Sequence, residues 1–134
     1  FNNPDEEMLA FARKHKKPVF IAEASPILFD GPEFLDTFLT NPNQAKQAWE
    51  EWFIPFLKTL NDNLDIIKAF SYINVNWSIQ PMWLDNDLFK HVDSRIQESE
   101  FITKKWLEEV TKPRYLKPNP NLWSNLQKNN KIVK

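Results

Sequence analysis

The sequence has no cysteine and only one glycine. The first absence excludes a disulfide framework, a thiolate nucleophile and a cysteine-ligated metal, and it is compatible with either redox compartment. An excess of one charge is missing too: 17 basic side chains stand against 18 acidic ones. No field of one sign therefore draws the chain to nucleic acid or to an anionic membrane. No apolar run approaches the ~20 residues that cross a bilayer, and no basic segment with an apolar core opens the chain. His15 and His91 are the only histidines and lie far apart, so neither metal nor cofactor is expected. Phe1 rather than Met comes first, in what reads as a loop entering a helix, and further residues upstream are expected.

What is present is aromatic. Six Trp and eleven Phe in 134 residues suit sugar stacking as well as core packing, and composition does not separate the two. Asn3-Pro4-Asp5-Glu6-Glu7 reads as a helix start, with a capping Asn, Pro at the first position and acids at the positive end of the dipole. This helix is predicted to end near Lys16, because the residue before Pro18 is pushed out of helical geometry. Val19-Phe20-Ile21-Ala22 is a continuous apolar run of strand length, the pattern of a parallel strand covered on both faces.

A long irregular connection from Ser25 to Thr40 follows, containing Gly31 and Pro32. Asn41-Pro42 starts a second helix, whose apolar residues recur at three- and four-residue steps from Ala45 to Leu60. Pro55 is predicted to kink or split it. Ile66 to Ile73 reads as a second strand. A second long connection runs from about Asn74 to Gln97, with a helical turn around Asp87 to Phe89. A helix over Ser99 to Thr111 then directs Phe101, Ile102, Trp106, Leu107 and Val110 to the core, and a short helix is expected over Asn121 to Lys128.

This order is βα alternation with parallel strands, an α/β fold. Two strands do not make a stable parallel sheet, so the unit is expected to pack against strands outside this chain. The alternative is a small, mostly helical domain whose aromatics are all core.

Parallel βα folds place function at the C-terminal ends of strands. Glu23 sits there, directly after four apolar residues, where an ionised carboxylate is costly unless paired or hydrogen-bonded. It reads either as an edge residue in a salt bridge or as a nucleophile or acid for sugar chemistry. Tyr72, Asn74, Asn76 and Trp77 follow the second strand, with Trp83 beyond. Their amides and rings suit sugar hydroxyls and pyranose faces, and the tryptophans suit loop packing equally. Asp93-Ser94-Arg95 reads as a loop-fixing ion pair.

Lys17 to Pro26, Trp49 to Phe56, Ala69 to Asn74 and Asp93 to Gln97 together resemble the final βα units of clan A glycoside hydrolases. The nearest likeness is to bacterial family 26, whose members include mannanases and lichenases. The resemblance implies a partial (β/α)8 TIM barrel, its last two to three βα units lying within residues 1–115, and a polar tail over residues 116–134. It implies that Glu23 is the nucleophile of a retaining hydrolase and that Trp77 is a sugar platform. A carbohydrate substrate, β-mannan or β-glucan, and a secreted or periplasmic location are implied likewise. The clan's acid/base Glu ends a fourth strand that no segment here supplies. A fragment lacking about six strands of a roughly 250-residue fold is therefore expected, with little activity alone. A barrel that binds carbohydrate without cleaving it is the alternative.

Overall fold

A computed structural model describes residues 4–27 and 37–124 of the chain. The expected cap at Asn3, Gly31 and Pro32 of the first connection, and the end of the tail helix lie outside the described residues; within them, helical backbone covers Leu122 to Ser124. The chain divides into two compact units, residues 1–104 and 105–134.

In the first unit, α1 (Pro4–Lys14) leads into β1 (Val19–Ala24). Helix α1 stops two residues before the expected Lys16. There the backbone turns left-handed, with Lys16 at φ 52°, and Lys17 N–H returns to Ala12 O at 2.9 Å. Glycine is the usual residue at such a cap because it has no Cβ to clash, and this chain spends a lysine there instead. Arg13 ties α1 to the turn before the next long strand, donating to both carboxylate oxygens of Asp65 at 2.8 and 2.9 Å and to Asn63 at 2.6 Å.

Asn41 caps α2 (Pro42–Ala48), accepting from Asn43 and Gln44 N–H through its side chain. The predicted break at Pro55 takes a specific form. A π-helical turn, Trp49–Phe53, separates α2 from α3 (Ile54–Asp62), and Pro55 falls in the first turn of α3. The first turn is where a missing N–H costs least, and the wider turn lets the chain remain helical through the proline. It also aligns rings: Trp49 stacks on Phe53 with centroids 5.3 Å apart, and Trp52 on Phe56 at 4.8 Å.

The second long strand, β3 (Ile67–Tyr72), pairs with β1 in parallel, as the sequence order predicts. A second parallel pair escaped the sequence reading: β2 (Thr37–Phe38) with β4 (Val92–Asp93). Strands of two residues carry too little periodicity to be read. The core joins Leu9 and Ala12 of α1, Leu57 and Leu60 of α3, and Ile66 and Ile67, with Val19, Ile21 and Phe70 packed on it.

One expectation requires correction. Neither strand is covered on both faces: Phe20 is 58% exposed, and Ala22, Lys68 and Ala69 are exposed as well. The helices cover only the face that carries Val19 and Ile21, and among the described residues no third strand extends this sheet.

Helix α4 (Glu100–Val110) begins after Ser99, whose hydroxyl accepts from Ile102 N–H. Ile102 is fully buried as expected, whereas Phe101 and Leu107 are exposed. Among the described residues of the second unit the buried one is instead Glu109. Its carboxylate accepts from Lys112, Arg114 and the Tyr115 hydroxyl. Three donors compensate the desolvation that an apolar-stripe reading counts against a buried Glu.

Candidate active site

The ends of β1 and β3 lie side by side: Ala24 is in register with Tyr72, and Ile73 N–H donates to Ala24 O at 2.9 Å. The connections that follow Glu23 and Tyr72 therefore leave the same end of the sheet. The pairing is irregular just before this end. From Ile21 to Ala24 strand β1 takes three steps, while β3 takes two from Phe70 to Tyr72. The extra residue falls in the Ala22–Glu23 stretch and offsets an opposite irregularity at the start of the pair, where β3 takes two steps from Ile67 to Ala69 against one in β1 from Val19 to Phe20. Such a bulge bends the strand locally and re-aims a side chain, and bulges recur next to active sites for that reason.

A cavity of about 630 Å³ runs along β1, lined by every residue of the strand and by Ser25. Met8, Leu9, Trp52 and Phe56 supply apolar walls, and Glu23 and Glu51 are its two carboxylates. Glu51 belongs to the π-helical turn, and both its oxygens accept from Gln47 Nε2, at 3.3 and 3.2 Å. Glu23 is exposed, so the desolvation expected for it does not arise. No hydrogen bond or ion pair joins its carboxylate to another described residue.

The aromatic and amide candidates gather past the end of β3. The largely buried Tyr72 hydroxyl donates to Ser94 O at 2.6 Å. Burial raises its pKa above the ordinary tyrosine value, and the nearby Asp93 charge adds to the effect. Asn74 donates to Gln97 at 2.9 Å and accepts from Ile96 N–H at 2.8 Å. Asn76 caps a 3₁₀ turn, Trp77–Ile79, accepting from Ser78 N–H and its hydroxyl. Trp77, Trp83 and Phe89 form one ring cluster with centroids 4.6 to 6.4 Å apart, and Trp77 Nε1 is buried with no hydrogen-bond partner among the described residues. The structure thus brings Tyr72, Asn74 and Asn76 into local networks and pairs the two tryptophans; Glu23 alone of the candidates lines the cavity.

The expected ion pair is present. The Asp93 side chain is 3% exposed, and its oxygens receive Arg95 Nε at 2.9 Å and Nη2 at 2.7 Å. Arg95 also meets Glu98 at 3.0 Å. What the sequence reading missed is Ser94, wholly buried between them, whose hydroxyl donates to Pro26 O at 3.3 Å. A serine flanked by two charges carries no sequence signal of burial. Among the described residues no three His, Asp or Glu side chains are grouped so as to hold a metal ion, and no helix is long and apolar enough to cross a membrane.

Sequence comparison places the chain beside polysaccharide-cleaving enzymes described as β-1,3-xylanases. Beta-1,3-xylanase TXYA of a Vibrio species is 37% identical over 130 residues, covering 90% of this chain and 28% of the relative. A β-1,3-xylanase of an Alcaligenes species is 33% identical over 130 residues, covering 90% of this chain and 27% of the relative. The chain thus spans less than a third of the curated relatives it matches. No family model matches it.

Proposed function

We propose that this chain is the C-terminal portion of a (β/α)8-barrel glycoside hydrolase that cleaves β-1,3-xylan with retention, Glu23 being the nucleophile. The observation that carries the reading is the exposed Glu23 carboxylate, which stands at a register irregularity near the C-terminal end of a parallel strand and lines a cavity. The likeness to two β-1,3-xylanases supports a xylan substrate in place of the mannan or glucan that the family 26 resemblance implies. The edge of β1 that is unpaired among the described residues and its exposed Phe20 and Ala22 support a need for further strands from a longer polypeptide.

In this mechanism a Glu23 oxygen attacks the anomeric carbon while the glycosidic C–O bond breaks. The departing oxygen takes a proton from a carboxylic acid on the remainder of the barrel. That group, now a carboxylate, deprotonates a water that attacks the same carbon and releases Glu23. Retention needs the two carboxyls about 5 Å apart. Glu51 is not assigned the acid role, since both its oxygens are engaged by Gln47. Trp77 and Trp83 offer stacking surface, while Tyr72, Asn74 and Asn76 shape the strand-end loops, Asn74 keeping half its hydrogen-bonding capacity for a sugar hydroxyl.

A 2-fluoro-xyloside trap on the longer polypeptide, followed by peptide mass spectrometry, tests the assignment. The label is expected on Glu23, and Glu23→Gln is expected to lower turnover at least about a thousandfold. Undiminished xylan hydrolysis in that variant would refute it. Binding without turnover, lost in Trp77→Ala, would point to a non-catalytic binding barrel.

A further inference from the structure

The backbone that carries Glu23 is held from both sides. Before the bulge, Ile21 pairs with Phe70. After it, Ala24 O accepts from Ile73 N–H at 2.9 Å, and Pro26 O, three residues beyond Glu23, accepts from the Ser94 hydroxyl at 3.3 Å. Both Pro26 and Ser94 are fully buried, so water does not compete for this bond. Ser94 is itself fixed. Its N–H donates to Val75 O at 2.9 Å, its carbonyl accepts the Tyr72 hydroxyl, and its neighbours Asp93 and Arg95 form the bidentate ion pair.

The same segment holds the chain where it returns. Thr37 N–H donates to His91 O at 2.8 Å, and Thr37 and Phe38 pair with Val92 and Asp93. Residues 91–94 therefore anchor both Pro26 and Thr37, on either side of the connection that follows Glu23.

We infer that Ser94 is a positioning residue for Glu23: its buried hydroxyl sets the exit of the bulged strand and with it the direction in which the carboxylate points. The inference rests on the nucleophile reading above. A bulge is a soft element that ordinary ladder bonds do not fully constrain, and a tether three residues away is a direct means of stiffening it. Attack on an anomeric carbon tolerates little error, since a displacement of about 1 Å can cost about a hundredfold in rate. The energetic contribution of the bond to folding is secondary in this account.

The test compares Ser94→Ala with the unaltered protein in the longer polypeptide, measuring the rate constant for trapping of Glu23 by the 2-fluoro-xyloside, and kcat and KM on β-1,3-xylan. The expected result is a trapping rate and kcat about tenfold lower, with KM within about twofold, in protein whose near-ultraviolet circular dichroism is unchanged. Loss of packing alone would lower the melting temperature and leave the rate per folded molecule unaltered, and that outcome overturns the inference. Absence of any label on Glu23 in the unaltered protein overturns the nucleophile reading instead, so the two failures are distinguishable. Should Ser94→Ala not fold, Tyr72→Phe removes the hydrogen bond to Ser94 O without opening a cavity. A severalfold slower trapping rate is expected there, and an unchanged one overturns the inference.

Discussion

Replacing Arg95 with Ala isolates the energetics of the strand-end network. Asp93 is buried, and three of its hydrogen bonds come from Arg95: one from the backbone N–H and two from the guanidinium. Arg95→Ala keeps the first and removes the other two, leaving a buried carboxylate under-satisfied. Removing one partner of a buried pair costs about 3–5 kcal/mol, most of it the penalty on the charge left behind. The Arg95 side chain is 33% exposed, so water can enter the space it leaves, and the lower figure, about 3 kcal/mol, applies. Its second pair, with the partly exposed Glu98, adds little. With an m-value of about 1.5 kcal/mol per molar, the urea midpoint should fall by about 2 M. Tryptophan fluorescence, with Trp77 five residues past the end of β3, reports the transition. Asp93→Asn in the Arg95→Ala background removes the stranded charge and should restore at least about 1 kcal/mol. A loss below about 1 kcal/mol for Arg95→Ala, as for an exposed pair, would falsify the claim that desolvation of Asp93 governs this site.

Tyr72 gives a pH prediction of definite sign. Its pKa is raised in the folded chain, so the stability it contributes is fully present below its unfolded pKa near 10 and is lost as pH rises above that value. The slope attributable to it is up to about 1.4 kcal/mol per pH unit, and Tyr72→Phe should flatten alkaline unfolding curves by that amount; equal slopes would contradict the assignment. Phe53→Ala empties a fully buried site whose ring stacks on Trp49 at 5.3 Å and on Tyr72 at 5.8 Å. A loss of about 3–5 kcal/mol is expected, read as a melting temperature lower by about 10–20 °C.

The elements long enough to show a period were legible without a structure: α1, the proline-interrupted helix, α4 and the two parallel strands. The break at Pro55 was legible as a break, though not as a π turn, because the proline signals only a missing donor and a clash. The inward face of α4 was misread at Phe101 and Leu107, which are exposed, and the burial of Glu109 carries no periodic signal, because periodicity cannot see the donors of Lys112, Arg114 and Tyr115. The tryptophans past β3 were recognisable as a group, while their mutual packing was not.

Glu23 divides the same way. Its place at the end of a strand follows from local order along the chain: an apolar run and a polar residue that ends it. Local order is a one-dimensional property, and hydrophobic patterning records it directly. The register irregularity beside Glu23, the cavity that it lines and the Ser94 hydrogen bond to Pro26 arise from register between β1 and β3 and from segments 68 residues apart in sequence meeting in space. Those are set by how many residues each strand places between two bonds and by which buried polar groups must be satisfied, and only the folded chain decides them.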